Sequence, residues 1–493
     1  MKIMKKRLRI VKRFEKREKS RFPRFKIRSL FARSHLWKWI WGIGLILSLS
    51  LVFLLPPTKG IAFFNKLGMV ILITFFVIIF FIYLWRFWPQ FLMIRSLSLC
   101  GILIVSMALM GRIIVLLPQV PNYFIPIAFL SILSSLLFTP SLSILVTLLL
   151  SILFSVNAES LDLLPVLVMG GIVGAYSATF VHQRSDLTKG GLYVGISNVL
   201  VILAVGLLGN YSFVRVASFV VWGMGSGIFS SILALTVLPY LETYFGITTD
   251  IKLLELSNLN LPLLNRLSIE APGTYHHTMM VASLSEAGAE AVGANSLLAR
   301  VGAYYHDVGK ILRPHFFFEN AGASKNSYHD KMAPNLSSII VVSHVKDGVE
   351  LAQRNRLPQV VIDILRQHHG TGLIAHFYRE ALMERGKEKD SIHEENFRYP
   401  GPKPQTKESA IVMLADSVEA AFRFSPQKTL KRIHLQVKKV VNNKLKDNQL
   451  DECNLTLGEI ARMSDAFVRT LTGVIHTRGR YPEEMLKSRS VVG

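Results

Sequence analysis

The chain has 493 residues, of which 51% are hydrophobic and 18% charged, with a mean hydropathy of +0.38. That composition excludes an ordinary soluble globular chain and wholesale disorder, and two cysteines, Cys100 and Cys453, exclude a disulfide scaffold and a Cys-rich zinc module. A net charge of +23, from 56 Lys and Arg against 33 Asp and Glu, is more than a bare helical bundle carries, so polar segments must sit beside a membrane part.

The chain opens on a basic arm. Met1 to Leu36 holds fifteen Lys or Arg and two Glu, or +13 of the total. An arm such as KKRLRIVKRFEKREKSRFPRFKIR can bind nucleic acid or anionic lipid head groups, or simply fix topology. Directly before an apolar stretch it reads as a cytoplasmic anchor in contact with membrane lipids, with no DNA or RNA expected. The basic region is too long for a signal peptide, and VFLLPP (Val52 to Pro57) shows no small-residue cleavage pattern, so the first span is expected to be retained.

Eight apolar runs follow, at Trp37 to Leu55, Leu67 to Trp85, Leu97 to Leu117, Tyr123 to Phe138, Leu142 to Val156, Leu163 to Val181, Leu192 to Leu208 and Val214 to Leu238. Most approach the roughly 20 residues that cross a bilayer, whereas the fourth and fifth are short and could form a re-entrant pair around Thr139-Pro140. Either choice leaves an even number of crossings, which returns the chain to the cytoplasm. Arg86, Arg95, Arg184 and Lys189 on predicted inner turns agree, as do Glu159 and Asp162 on an outer one, while Lys59 and Lys66 go mildly against the rule. Glycines 170, 171, 174, 223, 225 and 227 are read as points of close helix approach. Arg112 and Arg215 lie near span ends, where snorkelling suffices, and no central acid or lysine suggests a transport relay.

After Tyr240 the composition becomes that of a soluble domain. Ser283 to Val292, Ser296 to Tyr305, Pro358 to His369 and Glu408 to Phe422 show helical spacing, and no alternating strand pattern appears. Ile374 to Glu395 reads as a polar excursion and Asn396 to Gln405 as an extended loop. The expected fold class is therefore all-α: a polytopic transmembrane helical bundle over residues 37–240, after the arm of residues 1–36, followed by a cytoplasmic all-helical domain over residues 241–493.

Twelve of the 14 histidines fall after residue 275. They include His276-His277, His306-Asp307, His344 and His368-His369, with Asp416 beyond them. Neutral imidazoles and carboxylates on rigid helices are what a divalent metal needs. A lone histidine is more often a satisfied polar residue, but paired ones within about 100 residues each need a partner if buried, and packing alone does not supply that.

These residues resemble the HD-domain metal-dependent phosphohydrolases. APGTYHHTMMVASLSEAGAEAVGANSLLARVGAYYHDVGK (271–310), with SHVKDGVELA, QHHGT, FRYPGPKPQTKESAIVMLADSVEAA and QLDECNLTL, is similar to the seven-transmembrane HD subfamily of cyclic di-AMP phosphodiesterases, over roughly residues 60 to 485. The resemblance implies hydrolysis of cyclic di-AMP to the linear dinucleotide pApA at two divalent ions per chain, manganese or iron, in a multi-pass protein of the cell (inner) membrane. Position by position it implies metal ligands His277, His306, Asp307, His344, His368, His369 and Asp416. Asp307 would bridge, with His277, His306 and Asp416 on one ion and His344, His368 and His369 on the other. His276 is expected to be a neighbour rather than a ligand.

Two such ions hold an activated hydroxide for attack on phosphorus and clamp the diester oxygens. Lys310, four residues after His306 and on the same face if the helix continues, is expected to act beside Asp307 in catalysis by neutralising a non-bridging oxygen; the plainer reading is a lysine closing a helix dipole. Arg313, Arg398, Tyr399 and Lys403 are further candidates for substrate contact. His329-Asp330 is read as a structural loop element, His315, His376 and His393 as surface or neighbouring groups, and Phe316 to Phe318 as packing at the helix exit.

The sequence departs from the subfamily in one respect: only Pro56 to Lys66 occupies the place of its usual large extracellular domain. The loop from Asn320 to Tyr328 also looks slightly extended. The competing readings are an HD hydrolase of another nucleotide, such as cyclic di-GMP or (p)ppGpp, and a non-catalytic membrane nucleotide receptor. HHGTGLIAHFY lacks the GYP element of cyclic di-GMP enzymes, and a bare receptor has no need of seven ligands. Homodimerisation is an expectation that no particular residue specifies.

Overall fold

The computed structural model describes residues 34–54, 63–181, 183–320, 328–384, 392–425 and 429–478. The basic arm up to residue 33, most of the Pro56–Lys66 connection, most of the Asn320–Tyr328 loop and the middle of the polar excursion lie outside them. The chain divides into two units between Lys252 and Leu253, rather than at residue 240.

In the first unit apolar composition becomes helix throughout: α1 (Ser34–Leu54), α2 (Phe63–Phe87), α3 (Ile94–Leu116), α4 (Ile127–Leu137), α5 (Pro140–Asn157), α6 (Leu163–Ser177), α7 (Arg184–Leu208) and α8 (Phe213–Phe245). With no water to satisfy a backbone in hydrocarbon, the helix is how a single segment meets its own N–H and C=O groups. Six of these helices are long and apolar enough to span a membrane, with mean hydropathies from 1.7 to 2.9; α4 and α6 are shorter. The fifth run, expected to be short, is one of the six. Thr139 explains its start: its hydroxyl caps the helix by accepting from the Leu142 N–H at 3.2 Å, and Pro140 occupies the first position. The sixth is short instead, because the α-helix ends at Ser177 and only a 3-10 turn, Ala178–Phe180, carries on.

Every residue of α4 is buried. Two of its three serines reach α6: the Ser135 hydroxyl donates to the Ala175 carbonyl at 2.9 Å and the Ser131 hydroxyl to that of Gly171. Arg112 does not snorkel. It is 3% exposed, and its Nη1 donates to Oδ1 of Asn157 at 2.5 Å, while Asn157 Nδ2 donates to the Phe53 carbonyl at 3.3 Å. The polar side chain at the end of α5 thus meets one guanidinium nitrogen, while Nε and Nη2 are buried without a partner among the described residues. Arg215 lies over the Tyr211 ring at 4.5 Å.

A short helix, α9 (Asp250–Leu256), lies across the division. The second unit is built from α10 (Pro262–Glu270), α11 (Pro272–Val292), α12 (Ser296–Tyr305), α13 (Pro334–Arg354), α14 (Gln359–Gln367), α15 (Ala375–Glu384), α16 (Lys407–Arg423), α17 (Leu430–Lys446) and α18 (Leu457–Arg478). Among the described residues there is no strand, only one isolated bridge between Leu373 and Arg398. The polar excursion contains a helix, α15, because Phe377 and Ala381 give it a buried face one turn apart.

Two apolar clusters hold this unit. Leu284, Ile411, Met413, Val437, Met463 and Phe467 join α11, α16, α17 and α18; Leu264, Leu267, Tyr305, Val361 and Leu365 join α10, α12 and α14. Each large apolar side chain so buried contributes about 1.5–3 kcal/mol. Helix ends are set by local chemistry. Gly293, at φ +71°, closes α11 in the left-handed region. Asn295 then caps α12 by accepting from the Leu298 N–H at 3.0 Å, and its own N–H donates to buried Glu408 on α16 at 2.8 Å. This turn folds α12 back on α11 and ties both to α16.

Candidate metal centre

The hairpin of α11 and α12 carries His277 and His306 to one place. α13 brings His344, the end of α14 brings His368 and His369, and the capped helix α16 brings Asp416. The α-helix does not continue past His306: Asp307 leads into a 3-10 turn, Val308–Leu312. That turn lies flat on α13. A Cβ at Gly309 would stand 1.9 Å from the His344 carbonyl oxygen and 2.5 Å from the Gly348 nitrogen, so glycine is what the close approach requires.

Asp307 sits at the centre, 1% exposed. Its Oδ2 faces Nε2 of His306 at 3.2 Å and of His277 at 3.5 Å. Its Oδ1 faces Nε2 of His344 at 3.3 Å and of His368 at 3.7 Å. Asp416 directs Oδ1 to His277 at 3.0 Å and to His306 at 3.9 Å, and Oδ2 to Nδ1 of His369 at 3.7 Å. The seven residues expected as ligands therefore converge. Donor atoms of six of them form two groups sharing Asp307, one with His277 and His306, the other with His344, His368 and His369, and Asp416 lies outside both groups.

The donor set fits divalent ions. Separations of 3–4 Å are those between donors each about 2.0–2.2 Å from a common ion. Nε2 of His306 and Oδ1 of Asp307 are buried without a hydrogen-bond partner among the described residues, a cost that a metal removes. The imidazoles are also held in the tautomer a metal needs. His306, His344 and His368 each donate Nδ1–H to the carbonyl three residues earlier, of Ala303 (2.7 Å), Val341 (2.5 Å) and Leu365 (2.6 Å), which turns the Nε2 lone pair inward. Nδ1 of His277 is hydrogen-bonded to the carboxylate of Glu419.

Charge around the cage is closely matched. Lys310 Nζ lies 2.7 Å from Oδ2 of Asp307 and 2.7 Å from Oε1 of Glu319. Burial opposes its charge, but the two carboxylates outweigh burial and raise its pKa above the usual lysine value. Thr274 donates its hydroxyl to Glu319 at 3.2 Å, and Arg423 reaches Glu419 at 2.6 Å. Burial likewise opposes the charge of Asp416, yet the hydrogen bond and charge of His277 hold its carboxyl well below the usual range. Burial, helped by the neighbouring His306 and His344 and opposed by Asp307, pushes His368 down to about 4.

Not every candidate for substrate contact faces the cage. Arg313 is 43% exposed at its side chain and is paired with Asp347 at 2.5 Å. Arg398 is engaged by Asp447 at 2.9 Å, by Glu394 and by the Thr371 carbonyl. Tyr399 stacks on His369 with ring centroids 4.2 Å apart, at the edge of the cage. Lys403 is half-buried and makes no ion pair among the described residues. His276 is exposed on the far side of α11, His315 and His393 are exposed, and His376 pairs with Glu380. His329 Nε2 bonds the Phe316 carbonyl at 2.8 Å, as a structural role requires. Phe317 is buried but Phe318 is 70% exposed.

Sequence reasoning passed over Glu319, Glu419 and Arg423. Glu419 had a signal, since it falls three residues after Asp416 and so on the same helical face. Glu319 had none, being brought in by a loop.

Two family descriptions match the chain: "7TM receptor with intracellular HD hydrolase" over residues 63–249 and "HD domain" over residues 274–421. The first range contains α2 to α8, seven apolar helices. The chain is 45% identical over 322 residues to cyclic-di-AMP phosphodiesterase PgpH of Bacillus subtilis (strain 168), which covers 65% of this chain and 45% of the relative. It is 42% identical over 304 residues to PgpH of Listeria monocytogenes serotype 1/2a (strain 10403S), covering 61% and 42%. The chain thus spans under half the length of these curated relatives. The crystal structure of the L. monocytogenes PgpH HD domain in complex with cyclic-di-AMP is 46% identical, matched over all of that chain and 44% of this one, with a TM-score of 0.42.

Proposed function

The chain belongs to the family of seven-transmembrane receptors with an intracellular HD hydrolase, and on that premise we propose that it is a membrane-bound, metal-dependent phosphodiesterase that hydrolyses cyclic di-AMP to pApA. The observation that carries the reading is the shared carboxylate of Asp307, with one oxygen toward two imidazoles and the other toward two more. Identity of 45% and 42% to relatives named cyclic-di-AMP phosphodiesterase supports the choice of substrate.

His277, His306 and Asp416 would hold one manganese or iron ion and His344, His368 and His369 the other, with Asp307 between them. When bound, the ions would supply the Lewis acidity that activates water and the positive charge that neutralises the phosphodiester. The chain's own residues supply the rest. Glu419 fixes the ring of His277, and three backbone carbonyls fix those of His306, His344 and His368, so the donors need no rearrangement when substrate arrives. Lys310 stays charged between two carboxylates, which suits it to holding Oδ2 of Asp307 rather than to passing a proton. Tyr399, stacked on His369, closes one edge with an apolar surface against which a base can lie.

For sidedness the reading is a cytoplasmic amino terminus and a cytoplasmic hydrolase unit. It is supported by the +13 arm and by the even number of apolar helices, whether six or eight are counted as crossings. The test is a substrate panel on the full chain in detergent, with metal analysis. Conversion of cyclic di-AMP to pApA by protein holding about two ions per chain is the expected result. Cleavage of cyclic di-GMP or (p)ppGpp with cyclic di-AMP left intact would transfer the assignment, and binding without turnover would make the chain a receptor.

A further inference from the structure

Cations near the cage are nearly all spoken for. Lys310 is held by Asp307 and Glu319, Arg423 by Glu419, Arg398 by Asp447 and Glu394, and Arg313 by Asp347. Lys444, on the last turns of α17, differs: among the described residues its ammonium has no carboxylate within ion-pair distance. It is nevertheless half-buried and near enough to Asp416 to feel its charge. A Cβ at Gly372, three residues beyond His369, would meet the His369 carbonyl oxygen at 3.0 Å and Lys444 Nζ at 3.4 Å. Burial lowers the Lys444 pKa, against the opposing charges of Asp416 and Asp447.

The placement is built rather than incidental. The Thr371 N–H donates to Gln449 Oε1 at 2.9 Å, and Gln449 Nε2 donates to Asp447 at 3.0 Å. Arg398 spans Asp447 and the Thr371 carbonyl, and the Tyr399 N–H donates to the Gly372 carbonyl at 3.0 Å. These bonds join the end of α17, the loop after His369 and the Arg398–Tyr399 segment into one wall, and Lys444 stands on it. Asp447 could have paired with this lysine but is taken by Arg398. A partly desolvated ammonium left unpaired is costly unless an anion completes it.

We propose that Lys444 is the phosphate-contacting residue of this site, its ammonium over Gly372 binding a non-bridging phosphate oxygen of the dinucleotide. The proposal rests on the phosphodiesterase reading above for the identity of the ligand, though not for its charge. Lysine suits the task as a mobile point charge that can follow a phosphate through a change of geometry.

The test uses the full chain in detergent as wild type, K444Q and K444R. Three readouts are taken: equilibrium binding of cyclic di-AMP and of inorganic phosphate to chelator-treated protein, KM and kcat for cyclic di-AMP, and metal content after reloading. In K444Q the expected result is binding weakened about tenfold for both ligands and KM raised to match, with kcat within about twofold and metal content unchanged; K444R restores most of the loss. Unchanged phosphate and dinucleotide binding in K444Q would overturn the proposal. So would a fall in metal content together with kcat, because Lys444 would then be supporting Asp416. If the wild type leaves cyclic di-AMP intact, the substrate reading fails, while the inorganic phosphate arm still decides the role of Lys444.

Discussion

Lys310 and Asp307 form a buried ion pair, Nζ to Oδ2 at 2.7 Å, and Glu319 holds the same ammonium from the other side at the same distance. Three charged groups thus lie together where water scarcely reaches. Lys310→Met leaves two buried carboxylates facing each other, and breaking such a cluster costs about 3–5 kcal/mol. The melting temperature of the full chain should fall sharply. The double variant Lys310→Met with Glu319→Gln should melt above the single one, and equal melting of the two would show that Glu319 does not depend on Lys310.

Asp307→Ala removes the carboxylate common to both donor groups. Turnover of cyclic di-AMP should fall at least about a thousandfold, while the far-ultraviolet circular dichroism stays helical. Undiminished turnover would refute the bridging role.

Glu419→Gln keeps a hydrogen-bond acceptor beside Nδ1 of His277 but removes the charge. Metal affinity should weaken by about 10–100-fold, read by titrating metal into chelator-treated protein, with kcat largely recovered at saturating metal. Unaltered affinity would mean that the His277 ring is aimed by packing alone.

Stability of the metal-free protein should depend on pH in two windows of opposite sign. Burial works against the charge on His277, but Asp416 and Glu419 outweigh it and push its pKa up to about 9, above the ~6.5 of an unfolded histidine. Its stabilisation is therefore complete below about pH 6.5 and lost as pH rises through 9. His368, lowered by burial to about 4, refuses a proton that the unfolded chain accepts, so stability falls as pH drops from about 6.5 toward 4. Chelator-treated protein should melt highest near pH 6.5. A maximum at pH 9 would contradict the charged state of His277.

Gly309→Ala places a methyl where the His344 carbonyl oxygen already is. The 3-10 turn and α13 must then separate, carrying His344 away from Asp307. Activity and metal content should drop together, and a variant with full metal content would show that the turn can yield without moving the histidine.

Much of this was legible in the chain itself. Paired histidines and an HD dipeptide announced a metal site, and the spacing of His277, His306, His344, His368, His369 and Asp416 placed each on or beside a helix. Apolar runs marked all eight hydrophobic helices, although their limits shifted where Thr139 caps α5 and where α6 passes into a 3-10 turn. What could not be read was the partner of each charge. Lys310 was placed by a helical-face argument, yet the helix stops at His306, and a loop residue, Glu319, decides its surroundings. Arg112 looked free to reach the interface, whereas Asn157, 45 residues away, meets it inside. Such pairings are set by tertiary approach, which no local spacing encodes.

Three of the five imidazoles expected as ligands, His306, His344 and His368, are clamped at Nδ1 by the backbone of the turn each grows from, while His277 is held at Nδ1 by Glu419 and Arg423 and His369 turns its Nδ1 toward Asp416. The cage consequently has a stiff side and a compliant one. Exchanging an ion for one of another radius cannot be absorbed by swivelling the clamped rings without moving whole helices. Adjustment would fall to His369, whose Nδ1 stands 3.7 Å from Asp416, and tolerance for different metals would be governed by how far that ring can give.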